Sequence, residues 1–532
     1  MLIACVLIYM AVTVGIGIYA SSRVKDSTDF MVAGRSLPLY MNFACVFATW
    51  FGAETLLSVS AKFAHKGLGH VSGDPFGASM CLVLVAFFFA RTFYRMGLLT
   101  IGDYYHARYG KLVEVITSLG IAASYLGWTS AQLSALGLVI NVLFPQISLA
   151  VAIMIGAGIV TVYTLFGGMW SVALTDVVQT AAIVIGLIIV AMLLGHKAGG
   201  IDVVLAAAQR EGKLNLFPHT TAAAWLVFIG EFITMSLGSI PQQDVFQRVT
   251  SAKDEKTATI GTLAGGVFYF CFAFVPMFIA VSATVIDPSY IAMFESDNPR
   301  LLQQILPKLV LEKTPEWCQI LFFGALLSAI LSTASGTLLA PSSLLTENVL
   351  QPFIRHFSDK TMLWILRGLI VLVAIVSTTL AANTESTMYE MVESGYSVTL
   401  VVAFVPLAFG IYWKRASTQA AIFSILLSVP VWLGMSHLQG VETEKLEKAV
   451  AAVAAAEVPT ATESAVSAPA AAAQESKGKL ELPLWAVVPA QLYGLLASII
   501  GMLLGGLLPQ WIKHKHPNPE HLAHRRGAAM GH

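Results

Sequence analysis

Charge is what this sequence has least of. Only 12% of its 532 residues are Asp, Glu, Lys or Arg, against about 25% in soluble domains. At the same time 56% are hydrophobic, and the mean hydropathy is +0.74. A water-soluble globular chain is excluded, and an all-α integral membrane protein is expected. The 31 basic residues balance the 31 acidic ones, so no global basic surface points to nucleic acid. Cysteine is scarce as well: Cys5, Cys45, Cys81, Cys271 and Cys318 lie in or beside apolar segments without metal-ligand spacing. That pattern excludes a disulfide framework and reads them as buried small hydrophobes. The sequence has neither a phosphate-binding glycine loop nor a hydrolytic motif, so an enzyme is not expected.

What is present is a succession of apolar runs, each long enough to cross about 30 Å of hydrocarbon as a helix. About thirteen are read, over 2–20, 39–60, 70–95, 112–142, 148–166, 170–195, 221–247, 259–284, 318–349, 361–382, 388–412, 416–437 and 484–508. Nothing basic precedes the first run, and Arg23 and Lys25 follow it. That favours an uncleaved helix with its N-terminus outside, and alternation then places the C-terminus in the cytoplasm. The expected location is a cell membrane, the inner membrane if the source is bacterial. Segment 438–483 is rich in Ala, Glu, Ser and Pro and reads as a linker, helical in part. The histidines of the 509–532 tail read as a solvated cytoplasmic end.

Two runs carry interruptions that a plain membrane helix avoids. "ATWFGAETLLS", residues 48–58, holds Gly52 and the ionisable Glu54, although a charge at mid-bilayer costs about 2.5–3.5 kcal/mol on insertion scales. "SLGSIPQQD", residues 236–244, holds Gly238 and Pro241. Transporters built from inverted repeats break their leading helices in this way. Five spans counted from each interruption divide the core into 39–195 and 221–412, flanked by 1–38, an external loop at 196–220, a peripheral helix at 413–437 and the last span at 484–508. In "ALLSAILSTASGTLLA", residues 325–340, Ala329, Ser332 and Thr333 share one helical face. A carbonyl and two hydroxyls there suit a small alkali cation, or else bond back to their own helix.

These residues resemble the sodium:solute symporter family, which includes proline, pantothenate, sugar and choline carriers of the LeuT-like fold. The resemblance rests on "FMVAGRSLP" (30–38), "ATWFGAE" (48–54), "LLTIGDYYHARYG" (98–110), "TLFGGMWSVALTDVVQT" (164–180), "QQDVFQRVTSAKD" (242–254) and "SAILSTASGTLLAPSSLLTENV" (328–349). It implies a 5+5 inverted-repeat core and a co-transported sodium ion. The implied sodium ligands are the carbonyls of Ala48, Phe51 and Ala329 with the hydroxyls of Ser332 and Thr333. Asp176 and Ser335 are implied at a second sodium or on the ion path, although Gly336 stands where two-ion members carry a hydroxyl. For the solute the resemblance implies Trp50, Asp74, Trp128 and Gln242. Trp50 and Trp128 match two aromatic positions that cage the quaternary ammonium of choline carriers, where cation–π attraction acts on a group without N–H. Gln242 at the third cage position argues against simple choline transport.

The expected function is therefore sodium-coupled import of a small organic solute, an amino acid, amine or quaternary ammonium compound, across the lipid bilayer, with the oligomeric state left open. A sugar or organic-acid symporter and a membrane-embedded solute sensor are the alternatives. One sodium ion moving down a potential of about 100 mV supplies about 2.3 kcal/mol, and a tenfold sodium gradient adds about 1.4 kcal/mol. Glu54 is read as supporting freed backbone groups at the break. Glu390 and Glu393, on one face of "MYEMVESGY", are read as ordinary solvated residues at a helix start.

Overall fold

The computed structural model describes residues 1–218, 221–294, 298–351, 358–456 and 482–512. Most of the low-complexity linker, from 457 to 481, and the histidine-bearing tail from 513 lie outside the described residues.

Among the described residues ten helices are long and apolar enough to cross a membrane: α1 (Leu2–Ala20), α4 (Ser72–Met96), α5 (Lys111–Leu143), α6 (Leu149–Lys197), α9 (Glu255–Ile286), α10 (Glu316–Leu350), α11 (Lys360–Asn383), α12 (Met388–Tyr412), α13 (Thr418–Ala456) and α14 (Ala490–Leu507). Two further spans are bent pairs. α2 (Leu39–Trp50) and α3 (Glu54–Lys66) meet at 54°, and α7 (Ala222–Gly238) and α8 (Gln243–Ser251) meet at 47°. By this criterion the count is 12, not the thirteen expected, and the difference lies in α6. As one rod its 49 residues would measure about 74 Å, more than twice the hydrocarbon thickness. The chain instead reverses at Gly168, whose φ of 50 and ψ of −141 are not helical. A straight helix would hold Tyr163 and Asp176 about 20 Å apart. Here they bond to adjacent residues of α10, Tyr163 donating to the Leu331 carbonyl and Asp176 accepting from Ser332. A side chain at Gly168 would also collide with Phe30, its Cβ 2.7 Å from the ring.

Both interruptions read in the sequence are real breaks. Phe51, with φ −86 and ψ 75, ends α2, and π-helical turns occupy Glu54–Val59 at the start of α3. α7 ends at Gly238, and Pro241 sits in the gap before α8. A break frees backbone groups that hydrocarbon cannot hydrate, and side chains from other spans take them. Gln132 accepts from Ala53 N–H at 3.1 Å, and Thr399 donates to the Gly238 carbonyl at 2.6 Å.

The connections are shorter than they look in sequence because they fold onto the bundle. The expected 196–220 loop contains a helix, Ile201–Arg210, and 285–317 contains Ser289–Phe294 and Pro299–Lys313. Lys313 lies 2.7 Å from Asp287 and holds that carboxyl down at about 2. α13 runs on to Ala456, well into the segment read as a linker. Of the cysteines, Cys45, Cys81 and Cys318 are buried and Cys5 partly so, whereas Cys271 is exposed on the helix surface.

Candidate functional site

The site forms where α2, α5, α9 and α12 converge on the first break. Two glycines set the approach of α5 to α12. A Cβ at Gly127 would overlap the Met391 carbonyl, and one at Gly395 would lie 3.3 Å from the Ser124 carbonyl carbon. Small residues at a membrane-helix interface let backbones touch, and their chain neighbours Trp128 and Tyr396 are thereby brought face to edge at 5.6 Å. Trp50, the last residue of α2, stacks on Tyr396 at 6.4 Å and meets Trp128 at 6.3 Å. Tyr269 of α9 closes a further side at 6.5 Å from Trp50. Trp50, Trp128 and Tyr396 are 4%, 2% and 2% exposed, so the box is shut off from solvent.

Trp50 and Trp128 thus come together as expected, and the third aromatic is Tyr396. Gln242 does not replace a ring. It is held between the helices that carry the rings, donating to Ser124 Oγ at 3.0 Å and to Thr399 Oγ1 at 3.4 Å. Tyr396 escaped the sequence reading because nothing local distinguishes it from other tyrosines of its helix. Its role follows from the glycine contact beside it.

The carboxylates are buried around the box. Asp74, whose backbone breaks from helical geometry, accepts from Thr55 Oγ1 at 2.8 Å and from the Tyr269 hydroxyl. It therefore orients a wall of the box. Glu54 accepts from Trp128 Nε1 at 3.1 Å and from Gln132 Nε2 at 2.5 Å. Besides reaching its own backbone amide at the break, Glu54 anchors Trp128 and the Gln132 that takes the freed Ala53 N–H, two side-chain roles that the sequence reading did not include. Gly52 leaves room for the folded-back Glu54 carboxyl, whose carbon would lie 2.9 Å from a Cβ there. Gln132→Leu strands Ala53 N–H and a Glu54 oxygen in the interior, and unsatisfied groups cost about 1–3 kcal/mol each. The expected result is a clear fall in the thermal denaturation midpoint; an unchanged midpoint would mean the bridge carries no weight.

Below the box, α10 packs on the end of α2. Thr333 Oγ1 lies 3.0 Å from the Thr49 carbonyl and 3.4 Å from that of Ala48. The last carbonyls of a helix lack intrahelical donors, so at this corner the carbonyls of Thr49 and Ala48 accept from the Thr333 hydroxyl and gather three oxygens together. Ala329 sits one turn from Thr333 on the same face and is fully buried. Phe51 turns its backbone out of the helix at the same point, while Thr49 was not among the expected ligands. Ser332 donates to Asp176 Oδ1 at 2.6 Å, and the buried Asp176 Oδ2 has no hydrogen-bond partner among the described residues. Asp176 also faces the Cys45 thiol and feels the charge of Arg248. Ser335 turns away and donates to the Ser332 carbonyl at 2.9 Å.

One residue of this region was missed altogether. Arg248 of α8 is 1% exposed and donates through Nε and Nη2 to Thr49 Oγ1 at 3.2 and 2.8 Å. Gly336 provides its room, a Cβ there lying 2.6 Å from Nη2. Carbonyl and hydroxyl oxygens are hard ligands of the kind a small alkali cation takes.

Comparison with known proteins follows the same lines. The model of the sodium:solute symporter family matches residues 30–428. The human high affinity choline transporter 1 is 28% identical over 437 residues, covering 79% of this chain and 74% of that protein. The osmoregulated proline transporter of Bacillus subtilis is 25% identical over 453 residues, covering 82% and 89%. A Na+-coupled sialic acid symporter, solved in a substrate-bound outward-open state, superposes with a TM-score of 0.73 over 95% of this chain and 98% of its own, at 20% identity. At that identity the superposition speaks for the fold alone.

Proposed function

The chain belongs to the sodium:solute symporter family, and from that premise we propose that its solute is an organic ammonium compound held by Trp50, Trp128 and Tyr396. It is a multi-pass membrane transporter with a LeuT-like core, not an enzyme, and it couples sodium entry to import of a small organic solute. The aromatic box carries the finer reading. Trp50 and Tyr396 stack, Trp128 meets both edge-on, and Glu54, Asp74 and Asp244 all act electrostatically on Tyr396. Rings present a negative face to a cation and nothing useful to an anion. The buried positive group nearby, Arg248, is turned to Thr49 and to the Asp244 carbonyl. The similarity to choline carriers supports the same class.

Sodium binds between α2 and α10, on the carbonyls of Ala48, Thr49, Phe51 and Ala329 and the hydroxyl of Thr333. Ser332 and Asp176 continue the ion path from that corner. The inward turn of Ser335 and the lack of a side chain at Gly336 favour one ion per cycle. The repeats are 39–195 and 221–412, led by the two broken spans. The basic connections favour an N-terminus outside, in a cell membrane. A cationic solute carries a second charge inward, so a potential of about 100 mV acts twice, at about 2.3 kcal/mol for each charge.

Purified protein in vesicles with an imposed inward sodium gradient tests this. Labelled choline, glycine betaine, proline and a sugar are offered in turn. Sodium-dependent accumulation of a quaternary ammonium compound, accelerated by an inside-negative potential and inhibited by tetramethylammonium, is the expected result. Accumulation of the sugar alone, or sodium flux without solute, refutes the assignment.

A further inference from the structure

A surface cavity of about 310 Å³ lies among α3, α7 and α12, its lining including Lys62, Glu231, Gln303, Tyr389, Glu390 and Glu393. Glu390 belongs to the helix start as expected, capping it reciprocally with Thr387. Glu393 does not fit that description, since it is only half-exposed in the cavity wall whereas Glu390 is exposed. The Lys62 ammonium sits 4.4 Å above the Tyr389 ring centroid and 3.0 Å from Glu231 Oε1. Glu231 Oε2 is oriented by Ser72 Oγ at 3.2 Å and by the Tyr389 hydroxyl at 3.4 Å.

An aromatic face and a carboxylate around one ammonium are what the box offers deeper in the protein. A chain of packed residues links the cavity to the box. The Tyr389 hydroxyl lies against Gly73, where a Cβ would overlap it. Asp74 follows in the chain and holds Tyr269, a wall of the box. With Lys62 withdrawn, Glu231, Glu390 and Glu393 leave the lining rich in acid, Lys66 being the other lysine there.

We propose that this cavity is an outer subsite for an organic ammonium ion, and that in this closed conformation Lys62 fills it as a tethered substitute for the solute. The solute would displace Lys62 from Tyr389 and Glu231, and so part α3 from α7, before it reaches the box. This inference rests on the solute being an organic cation.

The test is equilibrium binding of labelled tetramethylammonium to the full chain in sodium-free buffer. Lys62→Met is expected to bind at least tenfold more tightly than the native protein, Lys62→Arg to bind like it, and Lys62→Met with Glu231→Gln to lose the gain. The gain is expected to survive Tyr396→Leu. No gain in Lys62→Met, or a gain that persists with Glu231→Gln, overturns the subsite. If the box assignment is what fails, Tyr396→Leu leaves sodium-driven uptake untouched while the Lys62→Met gain stands. If Lys62→Met does not fold, the native protein decides: tetramethylammonium is expected to speed acylation of Lys62 by an amine-directed ester, and an unchanged or slower rate overturns the proposal.

Discussion

Tyr396→Leu is expected to raise the solute concentration for half-maximal sodium-driven uptake by about 30-fold, with Tyr396→Phe staying near the native value. The basis is geometric: Tyr396 is the ring that both tryptophans touch, stacked on Trp50 and edge-on to Trp128. A desolvated cation–π contact contributes about 2 kcal/mol, which is about 30-fold in affinity. Leucine fills much of the volume without offering a negative face. Phenylalanine keeps the face, and no hydrogen bond of the Tyr396 hydroxyl enters the argument. Substitution of Trp128 is less clean, because its Nε1 also holds Glu54. Equal affinity in the leucine variant would remove the box from solute recognition.

Thr333→Val is expected to raise the sodium concentration for half-maximal uptake by about 10- to 100-fold, while Thr333→Ser stays within a fewfold. Valine keeps the shape and loses the oxygen that faces the carbonyls of Ala48 and Thr49. A polar contact to a charged partner contributes about 1.5–3 kcal/mol, which sets that range. With the ion proposed between α2 and α10, its loss would shift the conformational equilibrium only by its differential affinity for the two states. The maximal rate at saturating sodium is therefore expected to change less than the sodium dependence. The direct check is uptake against sodium concentration in vesicles. An unchanged curve in Thr333→Val would falsify the placement of the ion.

How much of the site was legible depended on whether a signal was local. Gly52 and Pro241 disrupt their own turns, so the two breaks could be placed from sequence, and the hydroxyl face at Ser332 and Thr333 follows from helical period alone. The family resemblance singled out Trp50, Trp128 and Asp176, all three buried in the core. Gln132, Arg248 and Tyr396 were not legible. Each matters through a partner far along the chain: Gln132 for the Ala53 N–H, Arg248 for Thr49, and Tyr396 for two tryptophans. Nothing in the neighbourhood of these residues records those partners. Glu54 shows the limit from the other side, since its burial was a clear puzzle in sequence but its partners depended on where α5 lies.

The sequence by itself determined that this chain lives in a membrane, where its spans run, and where two of them must break. Those properties follow from apolar length, from the scarcity of charge, and from the local geometry of glycine and proline. Only the tertiary structure decided which breaks are bridged by which side chains, that α6 turns back at Gly168 against Phe30, and that three rings from three helices form one box. The physical reason is that freed backbone groups and buried carboxylates in hydrocarbon must find partners across the bundle, and those partners are set by helix packing and not by neighbours in the chain.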